Sequence, residues 1–146
     1  TYFDARSDYE VGEPQIGAIL EEAGVTFDYG IRALCRKDSL DMTDADRRVI
    51  HDEVAACAEK HVLITHGTDA MTVTATNLRD IAGKTIVLTG ALAPAKFRAS
   101  DAVFNIGGAV AAVQSLPPGV YIFMNGRVFE AGRVRKNREK GLFEAV

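Results

Sequence analysis

Short runs with apolar residues at consecutive positions recur along this chain, each separated from the next by a stretch with helical periodicity. The runs are His61–Thr65, Lys84–Thr89 and Val120–Met124. A strand apolar at consecutive rather than alternate positions is buried on both faces. Alternation with amphipathic helices makes the sheet parallel, and right-handed crossovers place helices on both of its sides. The sequence therefore predicts a three-layer, doubly wound α/β domain with a mainly parallel sheet.

Four helices fit the intervening stretches. Glu13–Ala23 carries Ile16, Ile19, Leu20 and Ala23 on one stripe, with Pro14 suited to the first turn and Gly24 to the stop. Thr43–Glu59 opens on Thr43 and Asp46, a capping box with Asp in place of Glu, and carries Val49, Ile50, Val54 and Cys57. Asp69–Asp80 is the third helix. Asp101–Leu116 is the fourth, with Ser100 as N-cap and Gly107–Gly108 allowing close packing. Val25–Cys35 is rich in Val, Thr, Phe, Tyr and Ile and predicts a further strand with one open face. The tail, Arg127–Val146, is mixed and charged, and its apolar residues Val128, Phe129, Val134, Leu142, Phe143 and Val146 are expected to offer surface to a second copy.

A length of 146 residues suits one domain with its own core. Seventeen basic against 20 acidic residues give a net charge of −3, which argues against nucleic acid and against a polybasic membrane anchor. No run approaches a membrane span, and no secretory leader follows Thr1. Cys35 and Cys57 are expected to be buried thiols of a reducing, cytoplasmic setting. Two cysteines and scattered histidines make no zinc site, and no cofactor is implied. Nucleotide fingerprints of the Gly-x-Gly-x-x-Gly or Walker type are absent.

In an open parallel sheet, ligands bind at the carboxyl ends of the strands. The residues there are His66, Gly67, Thr68 and Asp69 after the first run, Gly90, Ala91 and Leu92 after the second, and Asn125, Gly126 and Arg127 after the third. Asp41 ends an earlier β-like stretch. A threonine hydroxyl needs a base to become a nucleophile, and a lysine held by a carboxylate can serve. Thr68, Asp69 and Lys136 can form such a set. On spacing alone, Thr68 and Asp69 are equally a helix cap, His66 a packed strand-end histidine, and Arg133–Arg138 a solvated basic face.

Ile64-Thr65-His66-Gly67-Thr68-Asp69-Ala70-Met71 resembles the second signature of bacterial-type L-asparaginases, with Ala70 where the family usually has Thr. Other segments resemble that family in the same order. Ser7–Gly12 is similar to the loop segment with the catalytic tyrosine, which maps onto Tyr9. Lys37–Met42 is similar to the substrate-carboxylate segment, whose serine maps onto Ser39. Val87–Ala91 and Val128–Lys136 are similar to the strand and turn over the substrate amide and to the segment with the catalytic lysine, Lys136.

The resemblance implies hydrolysis of the side-chain amide of L-asparagine, or of L-glutamine, through a threonine ester. Tyr9, Thr68, Asp69 and Lys136 would be catalytic. Ser39, Asp41, Gly67 and Ala91 would bind substrate, with amides near Gly67 and Ala91 stabilising the oxyanion. It also implies a short, single-domain member, residues 1–146, lacking the family's second domain. The first signature, Thr-Gly-Gly-Thr-Ile on an N-terminal strand, is expected just upstream of Tyr2. A homo-oligomer would supply a second wall to the site. A module that binds an amino acid without turning it over is the alternative.

Overall fold

A computed structural model describes residues 15–92 and 100–146, and the backbone of Tyr2–Phe3 and Tyr9–Glu10. Those last two segments are strands β1 and β2, paired antiparallel. There follow α1 (Ile16–Glu22), a 3-10 turn (Ser39–Asp41), α2 (Asp44–Ala56), β3 (His61–Thr65), α3 (Met71–Asn77), β4 (Thr85–Thr89) and α4 (Ala102–Ser115). The chain continues through β5 (Gly119–Met124), β6 (Arg127–Glu130), β7 (Val134–Asn137) and β8 (Leu142–Ala145). The main sheet has the order β3-β4-β5-β6; β3, β4 and β5 are parallel and β6 returns antiparallel. β7 and β8 form a separate hairpin.

β4 is the buried centre, with all five residues inside. Its side chains alternate between two cores, as the pleat requires. Ile86 and Leu88 pack with Ile50 and Val54 of α2 and Met71 and Ala75 of α3. Val87 packs on the other face with Ala109, Ala112 and Val113 of α4. These are the three layers expected from the apolar runs. Gly108 lets α4 sit tightly on the sheet, because a Cβ there would lie 2.0 Å from the Phe123 ring.

Helix ends depart from the hydrophobic stripes for local reasons. The Thr43–Asp46 capping box forms: Asp46 N donates to Thr43 Oγ1 (3.3 Å) and Thr43 N to Asp46 Oδ2 (2.8 Å). α2 stops at Ala56 rather than Glu59. Cys57 turns extended, and the Lys84 ammonium donates to the Cys57 carbonyl and to the Glu59 carbonyl (2.8 Å). A cation satisfies the orphan carbonyls of a helix end. At the start of α4 the N-cap position is Asp101 rather than the expected Ser100, whose hydroxyl, one residue earlier, accepts from Ala102 N at 3.1 Å.

Three expectations change. Residues 25–35 form no strand, because none of the described strands lies beside them to take up their backbone groups. Phe27, Tyr29, Ile31 and Leu34 are left exposed there. The tail is structured, not a loose apolar and basic surface. Phe129, Val134 and Phe143 belong to the domain's own core, whereas Val128 and Val146 stay exposed. The thiols are unpaired, but Cys35 is exposed and Cys57 half-buried. No helix among the described residues is long and apolar enough to cross a membrane.

Candidate active site

Three side chains meet at the carboxyl end of the parallel strands. Lys136 Nζ donates to Thr68 Oγ1 and to Asp69 Oδ1, both at 2.8 Å. Thr68 is buried, and Lys136 keeps about a sixth of its side chain in solvent (16%). Arg138 Nε approaches the same Asp69 oxygen at 3.5 Å.

Local structure explains why this set is free to form. α3 starts only at Met71; its N-cap position is Ala70 and no side chain caps it. Thr68 and Asp69 therefore lie in the turn before the helix, and their oxygens accept from Lys136 instead of from α3 amides. Within the run Arg133–Arg138, Val134–Asn137 is strand β7, so its side chains alternate. Val134 enters the core, Arg135 turns outward to Glu144 (2.7 Å), and Lys136 turns in to the site. A solvated basic face would have needed all of them outside.

Ser39 closes on Gly67. A Cβ at Gly67 would lie 2.6 Å from Ser39 Cβ and Oγ, so this close approach needs glycine. Ser39 is buried and begins the 3-10 turn, which Asp38 caps by accepting from Leu40 N at 2.8 Å. Gly90 makes the second close approach, since its Cβ would lie 2.2 Å from the His66 carbonyl. Ala91 follows it and lines the same cleft as Ser39, Gly67, Thr68, Asp69 and Lys136. Asp41 is exposed and lies outside that lining. Tyr9 lies on β2, and its side chain is outside the described residues.

Support around the set was not anticipated from the sequence. His66 Nδ1 donates to the Gly67 carbonyl at 2.7 Å, and its Nε2 then accepts from Thr74 Oγ1 at 2.9 Å. Burial pushes the His66 pKa down, with the Arg47 charge acting the same way and the Gly67 bond opposing. The imidazole is thereby held neutral and pins the peptide just before Thr68. Asn105, buried on α4, donates to the Gly90 carbonyl (2.8 Å) and to Asp101 Oδ2 (2.7 Å), while Asp101 Oδ2 also accepts from Leu92 N (3.1 Å). This ties the Ala91 turn to the helix. Neither residue had a motif to mark it; only folding brings Thr74 and Asn105 to these turns.

The cleft extends beyond these three side chains. It measures about 1110 Å³ and runs along β3 between α1, α4 and residues 27–35. β3 is the end strand of the sheet, and its Val62, Leu63 and Ile64 are only half-buried. A dent of about 200 Å³ at the opposite end of the sheet, lined by Arg79, Tyr121 and Glu130, holds none of the site residues. No group of three or more potential metal ligands occurs among the described residues.

The family model "Asparaginase, N-terminal" matches residues 4–144. A glutaminase-asparaginase from Acinetobacter glutaminasificans is 36% identical, over 73% of this chain and 35% of that protein. The thermostable L-asparaginase from Thermococcus kodakarensis superposes with a TM-score of 0.75 at 26% identity, over 89% of this chain and 43% of its own. L-asparaginase I from Vibrio cholerae O1 biovar eltor str. N16961 gives a TM-score of 0.67 at 32% identity, over 75% of this chain and 35% of its own. The chain thus spans well under half the length of these relatives. With a match over nearly its whole length and the Thr68–Lys136–Asp69 set on the matching fold, the chain belongs to the asparaginase family.

Proposed function

We propose that this domain carries half of an amidohydrolase site that releases ammonia from L-asparagine or L-glutamine through a threonine ester. The observation that carries this reading is Lys136 Nζ at 2.8 Å from both Thr68 Oγ1 and Asp69 Oδ1. In the resting arrangement Nζ donates to both oxygens. To act as a base the ammonium first gives one proton to solvent; the neutral amine then takes the Thr68 proton, directly or from a water between Thr68 and substrate, while Asp69 holds it in place. The attacking hydroxyl oxygen bonds to the amide carbon, and its proton passes to the leaving nitrogen, which departs as ammonia. Water then cleaves the ester, giving the carboxylate and restoring the hydroxyl.

Amides around Gly67 and Ala91 are the donors we assign to the oxyanion, in keeping with their place in the cleft. Ser39 is assigned to the substrate carboxylate and Asp69 to its ammonium. Tyr9 is assigned as the phenol assisting the nucleophile. Asp41 enters only through the family resemblance.

The cleft is larger than an amino acid requires, since pockets for much larger ligands span about 300–1,000 Å³. Its long apolar arm suits an extended segment beside β3. We assign this place to the strand bearing the family's first signature, whose threonine the family resemblance implies to be the primary nucleophile, with Thr68, Lys136 and Asp69 as a second set beside it. The proposal includes a homo-oligomer in a cytoplasmic setting. Unpaired Cys35 and Cys57 suit a reducing compartment. Val103 and Phe104 of α4 and Val128 of β6 are exposed, with Phe104 against Phe123, the register partner of Val128. Light scattering at micromolar concentration tests the oligomer.

Ammonia release from L-asparagine and L-glutamine, measured beside calorimetric binding, tests the activity. Thr68→Val keeps the shape and removes the hydroxyl; turnover should disappear while binding persists. Binding without ammonia in the unaltered protein would support the non-catalytic amino-acid module instead.

A further inference from the structure

We propose that Asn125 is a positioning residue for Lys136, acting through the backbone of β8. β5 and β6 are joined by Asn125 and Gly126 alone, since Met124 pairs with Arg127. Both loop residues have positive φ, 53° and 72°, the requirement of a type I′ hairpin turn. Asn125 is the one non-glycine residue with positive φ among those described. Turn propensity accounts for its backbone but not for its side chain, which is engaged elsewhere. Its Oδ1 accepts from Phe143 N at 2.8 Å.

Phe143 is the register partner of Lys136 across the β7–β8 hairpin. Its N–H is given to Asn125 and so points away from β7. The neighbouring pattern agrees, because Val146 N donates to the Arg133 carbonyl three positions earlier in the ladder. Lys136 and Phe143 therefore form a non-hydrogen-bonded pair, the kind in which the two strands' Cα atoms come closest. The free edge of β8 is fastened to the turn after β5, and the lysine directly across from that fastening reaches Thr68 and Asp69. Core packing of Val134 and Phe143 buries the hairpin, but packing is non-directional. The Asn125 bond fixes where along the sheet edge the hairpin lies, and a misplacement of about 1 Å is enough to cost catalysis heavily.

The kinetic arm of the test rests on the amidohydrolase reading; the structural arm does not. Asn125→Gly keeps a residue at ease with positive φ and removes the acceptor. Asn125→Asp restores an acceptor in a residue that tolerates the same backbone. Two-dimensional NMR reads the nuclear Overhauser contact between the Lys136 ε-methylene and the Thr68 methyl, and the exchange rate of the Phe143 amide. Asn125→Gly should weaken that contact and speed that exchange, with the Lys84 contacts to residues 57–59 unchanged as an internal control. kcat should fall about tenfold with KM within about twofold, and Asn125→Asp should recover most of it. Wild-type contact and exchange in Asn125→Gly would overturn the proposal. If the unaltered protein never releases ammonia while Asn125→Gly shows the NMR changes, the amidohydrolase reading is overturned and the positioning role stands.

Discussion

On the flank beyond β5, the chain turns back as β6, continues into the β7–β8 hairpin, and buries Phe129, Val134 and Phe143. On the flank of β3, apolar residues of similar kind stay in solvent: Phe27, Tyr29, Ile31 and Leu34 face a cleft of about 1110 Å³. Both flanks reach the same hydrogen-bonded set, one through Lys136 and the other through Thr68 and Asp69. The difference teaches that the first flank closes on itself through polar contacts among Thr68, Asp69 and Lys136, while the second lines an open cleft. Polar contacts at 2.8 Å are self-sufficient on the first flank, whereas apolar area on the second gains nothing until water is displaced from it.

The largest expected effect tests the first flank. Lys136→Met keeps the length and apolar stem but loses the ammonium. Ammonia release should fall by about a thousandfold or more. The melting temperature should stay nearly constant, since Arg138 still faces Asp69. A variant with ordinary turnover would reduce Lys136 to a structural role.

A paired truncation then probes the two flanks directly. Ile122→Ala, at a position with no exposure, should cost about 2–5 kcal/mol in a denaturant melt. Ile31→Ala, at a position 51% exposed, should stay within about 0.5 kcal/mol. A large loss at Ile31 would mean that the cleft is closed in solution, and the contrast between flanks would vanish.

Gly67→Ala addresses the seam between them. The added Cβ meets Ser39 at 2.6 Å, so the 3-10 turn must shift. We expect a loss of about 1–3 kcal/mol in stability and a rise in KM larger than the fall in kcat, because Ser39 is assigned to substrate rather than to proton transfer.

The smallest effects are electrostatic. His51 of α2 bonds to Asp52 at 3.2 Å and to Asp80 beyond α3 at 3.0 Å, and these hydrogen bonds, Asp52 first, raise its pKa. A raised histidine stabilises the fold below its unfolded value and loses that contribution as pH climbs through the folded value. His51→Gln should therefore remove a modest stability decline seen on going from pH 6 upward. His66 has the opposite sign. Its lowered pKa means that the unfolded chain takes up the proton first, so its contribution falls as pH drops below about 6.5. Asp46 is pulled to about 2 by Lys37 first, and then by the Thr43 backbone and hydroxyl. Its contribution holds above its unfolded value and disappears as pH falls through about 2. Melts from pH 8 to pH 2 for the single variants separate the three.

Much of this architecture is written in local sequence. The runs at His61–Thr65, Thr85–Thr89 and Gly119–Met124 are apolar at consecutive positions, and a chain can bury such a run only between two layers. The Thr43–Asp46 box and the Asn125-Gly126 turn depend on neighbours a few residues away, so they too are fixed locally. Order along the chain placed Thr68, Asp69 and Ala91 just after parallel strands and thus at one edge of the sheet. Tertiary structure decided the rest. Val25–Cys35 has the composition of a strand, but a strand exists only where another offers its hydrogen bonds, and no local pattern reports a neighbour's presence. Lys136 stands among five cations and polar neighbours that read as surface. It becomes a base candidate because β7 alternates it inward and the turn before α3 leaves two oxygens uncommitted, 67 and 68 residues away in sequence. Contacts of that range depend on where whole elements dock, a property of the packed core and not of any segment by itself.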